Sequence, residues 1–349
     1  MRRARWWLIS GLAVSGLAVW CAQKRRQAFL RQRERNRDAS VLVVGAGVIG
    51  STYAAHLARW GMVVRLLARG QRLRELRAHG VVIRDIMTRR RWAAPVRVVS
   101  EIPLREEYDL VIVAVRYTQV AQALEALKPM AETAPILVLQ NNPVGAELLQ
   151  GPLGDGSVLM GCPATGGARI GSHVYSLPLR LGTTVIGESD GATTQALHQT
   201  AVLFSRAGLR VDVQREIAPW LRTHTAQVAV MAGCARRNGG SLRRMARDAD
   251  EVRFYLRALH EAYHALEASG SPVTPRTQLK VFRRPNWLQI ASVWMASLPY
   301  WVDFVVDRYA EAQADEIRGS YDHLISLAEH AGTDTHALQS LRQLYPMRE

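Results

Sequence analysis

Cysteine and lysine are both scarce in this chain of 349 residues. The three cysteines, Cys21, Cys162 and Cys234, are far apart, odd in number and without any CxxC or Cys/His spacing, which argues against a disulfide framework or a zinc site. A reducing compartment is the default expectation. Lys24, Lys128 and Lys280 are the only lysines among 45 basic residues. The basic character is therefore almost wholly arginine, as a compositional drift would produce without any nucleic-acid role. No recognisable nucleic-acid-binding module accompanies it, so no nucleic-acid partner is expected. Disorder is excluded by composition, since 48% of the residues are hydrophobic and only 21% charged.

What charge there is lies unevenly. The formal net charge is +15, and residues 1–39 hold ten basic residues against Glu34 and Asp38, so this arm supplies more than half of the excess. Within the arm, Trp6 to Ala22 is an uncharged apolar stretch with Trp6, Trp7 and Trp20 near its ends. As a helix it would span about 25 Å, slightly less than the roughly 30 Å hydrocarbon core of a bilayer. A membrane anchor, a cleaved signal peptide and an extension without a role compete for it. Cleavage is disfavoured because Lys24, Arg25 and Arg26 follow at once, where a small-x-small site would be needed. Arg2, Arg3 and Arg5 precede the segment and seven basic residues follow it, so an anchor would leave the bulk of the protein on the cytoplasmic face.

Beyond the arm, Ser40 opens the run VLVVGAGVIG, a β-branched strand leading into Gly45-x-Gly47-x-x-Gly50 and then a helical pattern through Trp60. The first glycine makes the tight turn, the second lets phosphates approach the backbone and the third lets helix pack on strand. A second strand at Val63 to Leu67 completes a βαβ unit and a dinucleotide site. An NAD-preferring site would carry an acid after that strand, but here Leu66-Leu67-Ala68-Arg69-Gly70-Gln71-Arg72 follows. Arginines suit a 2′-phosphate, so NADPH is the expected cofactor, with Arg72 reading equally well as a solvated helix residue. Further strands are expected at Leu110 to Val115 and Ile136 to Leu139, with a hairpin around Val81 to Val99. Short apolar runs between helices imply a buried parallel sheet, whose strand ends, Arg116 to Gln119 and Gln140 to Pro143, should face the ligand.

Taken together, the chain from Ser40 to Leu344 resembles the ketopantoate reductase family. The resemblance rests on five segments in order: VLVVGAGVIGSTYAAHLARWGMVVRLLARG, DLVIVAVRYTQ where the family has V-K-x-x-Q, LQNNPVGAE where it has Q-N-G-x-G, LFSRAGLRVDVQREIAPWLR, and ADEIRGSYDHLISLAEHAG. It implies a Rossmann-type α/β dinucleotide-binding domain followed by an all-α domain, and NADPH-dependent reduction of a small 2-oxo acid, 2-dehydropantoate being the family default. It implies a cofactor set of Gly45, Gly47, Val48, Ile49, Gly50, Arg69, Arg116, Gln119 and Asn141, and makes Glu316 the carboxylate that holds the substrate. Where the family has its catalytic lysine this chain has Arg222, which could stabilise an alkoxide but is a poor proton donor, leaving water to supply the proton. Family residues are also replaced at Ala226, Phe304, Arg116 and Asn142. His224 lies two residues from Arg222 and so on another helix face, and is read as structural.

From Glu216 onward only helices are expected, near 216–236, 248–268, 276–298, 300–331 and 334–344. Trp287, Trp294 and Trp301 recur every seven residues, a stripe more typical of a core or subunit interface than of a ligand box, with a second membrane contact as the sharper alternative. The expected organisation is a basic arm over 1–39, an NADP-binding domain over 40–213 and a helical substrate domain over 214–349, through which a homodimer would form. Catalysis is assigned to Arg222 and Glu316. The alternative is a catalytically degenerate NADPH-binding sensor or scaffold at the membrane.

Overall fold

The apolar run after Ala39 becomes the middle of a sheet. The computed structural model describes residues 23–145, 149, 153 and 158–346, so the expected anchor Trp6–Ala22 lies outside the described residues. Helix α1 (residues 23–35) leads into β1 (Ser40–Val44), α2 (Val48–Arg59), β2 (Val63–Leu67) and α3 (Gly70–His79). There follow β3 (Val81–Asp85), β4 (Arg91–Ala94), β5 (Arg97–Val99), β6 (Leu110–Val113), α4 (Tyr117–Leu127), β7 (Ile136–Leu139) and β8 (Val158–Cys162). A hairpin of β9 (Gly167–Ile170) and β10 (His173–Ser176) comes next, then β11 (Thr184–Gly187), α5 (Gln195–Arg206) and β12 (Val211–Val213).

The main sheet has the order β12-β11-β8-β7-β6-β1-β2-β5, parallel throughout except between β8 and β11. Alternation explains why it is buried on both faces. Val41, Val43, Leu110, Ile112, Leu137 and Leu139 pack into one core with Tyr53, Ala54 and Leu57 of α2. Leu42, Val44, Val111, Val113, Ile136 and Val138 face the other way, onto Val120, Leu124 and Leu127 of α4. Each such side chain contributes about 1.5–3 kcal/mol on burial, so these two apolar layers dominate the stability of this half. The chain leaves β1 toward β2 on one side and returns as β6 on the other, which opens a crevice at the carboxyl ends of β1 and β6.

The expected hairpin is present as β3 and β4, while β5 leaves it to pair with β2 at the edge of the main sheet. A second sheet, β4-β3-β10-β9, joins this hairpin to the later one through parallel pairing of β3 with β10. The end of the basic arm is itself part of the fold. The buried Asn36 donates to the carbonyls of Trp60 (2.9 Å) and Arg206 (3.2 Å), and the Phe29 ring meets Trp60 edge-on.

The helical half comprises α6 (Ile217–Arg237), α7 (Leu242–Met245), α8 (Ala249–Ala268), a 3₁₀ stretch (Arg276–Arg283), α9 (Asn286–Ser297), α10 (Trp301–Ala312), α11 (Ala314–His330) and α12 (His336–Arg342). Small residues on α6 let its neighbours approach: a Cβ on Gly233 would lie 2.1 Å from the Tyr321 hydroxyl, which donates to Ala229 O. The expected helix over 300–331 is broken at Gln313, whose backbone (φ −119°, ψ 28°) ends α10 and begins α11 without any proline or glycine to announce it. The expected helix over 276–298 is likewise divided, at Pro285, where proline fixes an extended turn. The tryptophan stripe is divided: Trp287 is 70% and Trp294 46% exposed, while Trp301 packs against the helical core. Among the described residues no helix is long and apolar enough to cross a membrane.

Candidate active site

Each glycine of the loop after β1 has its own steric reason. Gly45 has φ +107°, and a Cβ there would sit 2.5 Å from Ala114 O; a Cβ on Gly50 would sit 1.9 Å from Gly45 O. Gly47, by contrast, faces open space, with nothing within 4 Å of the Cβ position. It caps α2, whose first turn has neither a side-chain cap nor an acidic residue. The backbone N–H groups of Val48 and Ile49 are thus left at the positive end of a helix dipole, the arrangement that takes a pyrophosphate. The residues present therefore fit a dinucleotide.

This loop forms one end of a cleft of about 1410 Å3 that runs to the helical half. Gly45, Gly47, Val48, Ile49, Arg69, Arg116, Gln119, Asn141 and Glu316 all line it. Gly50 does not; it packs beneath, against Gly45. Arg69 is exposed at the start of α3, and Arg169 of β9 lines the same cleft. Arg72 is committed to the protein: it donates to Ala46 O (3.1 Å) and Ser172 O (3.0 Å) and pairs with Glu75, so it braces the glycine loop against the β9–β10 hairpin.

At the other end, two helices reach the tips of two strands. Glu316 Oε1 accepts the backbone N–H of Tyr117 at 2.9 Å, just beyond β6. Burial pushes its carboxyl above the usual carboxylate range, opposed by that N–H and by the Arg116 charge. Asn141, just beyond β7, donates from Nδ2 to the Tyr309 hydroxyl at 2.6 Å. Asn142 shapes the next turn by accepting from Val144 and Gly145, and its own N–H donates to Thr225 of α6.

Arg222, expected at the chemical centre, is not among the cleft-lining residues. Its Nη2 donates to Val144 O at 2.8 Å, and its guanidinium lies against Gly145, where a Cβ would be 2.8 Å from Nε. The arginine thus holds the loop that follows Asn141. His224, read from sequence as structural, does line the cleft, stacked on Trp220 at 5.1 Å and driven down to about 4 by burial, so it is neutral at physiological pH. Ala226 is buried in the helical core and Phe304 packs on Tyr175 at 6.2 Å.

Two amides in the cleft lack partners. Gln140, only 8% exposed, has no hydrogen bond to Oε1 or Nε2 among the described residues, and neither has Gln313 Oε1. Leaving a buried polar group unpaired costs about 1–3 kcal/mol, which a polar ligand would relieve. Gln140 lies in the strand-end segment expected to face the ligand, whereas Tyr309 and Gln313 were not foreseen. No local signal marks Tyr309, because it lies on α10 and Glu316 on α11, across the break at Gln313.

Residues 41–191 match the protein family described as Ketopantoate reductase PanE/ApbA. The chain carries a ketopantoate reductase family domain. The 2-dehydropantoate 2-reductase of Aquifex aeolicus (strain VF5) is 27% identical over 188 residues, 52% of this chain and 57% of that protein. The Pyrococcus horikoshii 2-dehydropantoate 2-reductase is 27% identical over 180 residues, 52% of this chain and 58% of the relative. The chain thus spans a little over half the length of the curated relatives it matches. Similarity of fold extends further. The 2-dehydropantoate 2-reductase from Geobacter metallireducens GS-15 superposes with a TM-score of 0.68 at 17% identity, over 88% of this chain and 98% of that one. The ternary structure of D-mandelate dehydrogenase with NADH and anilino(oxo)acetate gives 0.69 at 14% identity, over 88% and 96%. The fold is that of the ketopantoate reductases, a Rossmann-type domain followed by an all-α domain.

Proposed function

We propose that this protein is an NADPH-dependent reductase of a small 2-oxo acid, with 2-dehydropantoate the first substrate to try. The observation that carries the reading is the cleft itself, with a phosphate-ready glycine loop at one end and Glu316, Asn141, Tyr309 and the unpaired Gln140 at the other. Bound along it, NADPH supplies a hydride to the carbonyl carbon. Arg69, with no acid at the end of β2, favours the 2′-phosphate and hence NADPH over NADH. Glu316 keeps one oxygen on Tyr117 N–H and offers the other to a substrate hydroxyl. Gln140 and Gln313 receive the substrate's remaining polar groups. Arg222 acts on Asn141 indirectly, by clamping Val144 O.

The cofactor domain covers residues 40–213 and the substrate domain 214–349. The segment Trp6–Ala22 tethers the protein to the cytoplasmic face of a membrane, and exposed Trp287, Trp294, Met295 and Leu298 of the helical half form the surface on which a homodimer closes. The test is to follow NADPH absorbance with the full chain in detergent micelles and a panel of 2-oxo acids. Saturable oxidation with at least one is expected. Tight NADPH binding with no oxidation by any of them would instead indicate a membrane-bound sensor.

A further inference from the structure

The replacement of the family lysine leaves open which group protonates the alkoxide. We propose that Tyr309 is the proton donor, its hydroxyl touching the carbonyl oxygen of the substrate. This rests on the reductase reading above and goes beyond it by naming the acid.

Two hydroxyl side chains line the cleft among the described residues, Thr165 and Tyr309. Thr165 spends its proton on Leu177 O at 2.7 Å. Tyr309 is held differently, because its oxygen accepts from Asn141 Nδ2 at 2.6 Å and an amide nitrogen cannot accept in return. No group among the described residues takes the Tyr309 proton, which leaves it for a ligand in the cleft that Tyr309 lines. Asn141 sits at the tip of β7 and Tyr309 on α10, one helix before Glu316, so the hydroxyl lies in the part of the cleft where the strand tips meet the helical half.

The cationic, imidazole and thiol groups of the region fail on chemistry. Arg222 does not line the cleft, and Arg116 is permanently charged. His224 titrates at about 4, so its imidazolium is scarce at neutral pH. The Cys162 thiol lines the cleft and is pushed up to about 12 by burial, but it donates only weakly, toward Pro163 O. Burial also raises the Tyr309 phenol, which keeps it protonated throughout the physiological range. An alkoxide is far more basic than a phenolate, so the transfer runs downhill.

The step balances as follows. Bound NADPH would supply the hydride pair for the new C–H bond at the carbonyl carbon and would become NADP+. The carbonyl π pair moves to oxygen, which takes the proton as the Tyr309 Oη–H bond breaks, and the 2-oxo acid leaves as a 2-hydroxy acid. Asn141 Nδ2 stabilises the phenolate until solvent water reprotonates it.

The test uses the full chain and Tyr309→Phe, with 13Cζ-labelled tyrosine. Tyr309→Phe should lower kcat by about 100-fold or more, the usual worth of a placed general acid, with KM and NADPH affinity changed by less than about 3-fold. In the wild type, oxamate, a non-reducible analogue with the same carboxylate and carbonyl, should shift the one 13Cζ resonance that Tyr309→Phe removes. An unchanged kcat in Tyr309→Phe on an acid the wild type reduces would overturn the proposal while leaving the reductase reading intact, as would an oxamate-bound spectrum with that resonance unmoved. A wild type that binds NADPH and reduces no 2-oxo acid would overturn both.

Discussion

Glu316 Oε1 and the backbone nitrogen of Tyr117 lie 2.9 Å apart, joining residues 199 positions apart across the cleft between sheet and helices. The bond fixes the start of α4 at the tip of β6 and aims a carboxylate at the crevice where a substrate would lie. One side chain thus joins the two halves and lines the cleft.

Those two roles separate by substitution. Glu316→Gln keeps an acceptor for Tyr117 N–H and should leave the melting temperature nearly unchanged, while kcat/KM for the 2-oxo acid falls by about 10-fold or more. Glu316→Ala should show the same kinetic loss together with about 1–2 kcal/mol of destabilisation. Denaturant melts beside steady-state kinetics read both effects.

The glycine loop offers a similar separation. Alanine at Gly50 would drive a methyl to 1.9 Å from Gly45 O and should destabilise the fold by about 3 kcal/mol or more. Alanine at Gly47 meets nothing in the protein, so the fold should survive while NADPH affinity drops by about 10-fold or more as the methyl intrudes on the phosphates. Calorimetric titration with NADPH, paired with a melt, checks each variant.

The proposed NADPH preference rests on Arg69. If Arg69 meets the 2′-phosphate, Arg69→Asp removes that charged donor and installs a carboxylate suited to a free ribose. A charge-assisted hydrogen bond is worth about 1.5–3 kcal/mol, so the NADPH to NADH preference should fall by about 10- to 100-fold. A ratio of dissociation constants that stays put would move the 2′-phosphate elsewhere, Arg169 being the neighbour to try next.

Two histidines set an acid limit on stability. His56 donates from Nε2 to Ala207 O at 2.9 Å, and burial lowers it from its ordinary 6.5 to about 4; burial does the same to His224. A depressed histidine is more easily protonated unfolded than folded, so its contribution is complete above pH 6.5 and is lost as pH falls toward 4. Each proton taken up on unfolding costs about 1.4 kcal/mol per pH unit inside that window. Melting temperatures should fall steadily from about pH 6.5 to about pH 4, and His56→Gln, which keeps the donor to Ala207 O, should make the fall shallower.

How much of this could be read from the residues alone depends on range. The unit β1-α2-β2 was legible because its signals are local, a β-branched run, three glycines at fixed spacing and a second run on cue. The joining of the β3–β4 hairpin to β10 was not, since Ile83 pairs with Val174 across some ninety residues and nothing local marks the partnership. The break at Gln313 escaped for the opposite reason: it falls in a stretch whose composition favours helix, with no proline or glycine to mark it. In α6 the separation of Arg222 from His224 onto different faces followed from helical phase. Which of the two faced the cleft did not, because phase relative to the sheet is set by packing, and it is His224 that lines it. The glycine loop was legible because a tight turn and a close approach constrain backbone and glycine, whereas the place of Tyr309 in the cleft depends on side-chain packing alone.

Isotope transfer reads out the proposed passage of hydride from NADPH to a 2-oxo acid within this cleft. The full chain is incubated with NADPH carrying deuterium at the transferable C4 position and a 2-oxo acid, and the product is examined by mass spectrometry. The account predicts a 2-hydroxy acid with one deuterium at C2, formed in equal amount to NADP+. NADPH bound by the glycine loop but left unoxidised, with no deuterated hydroxy acid from any acid tried, would contradict it.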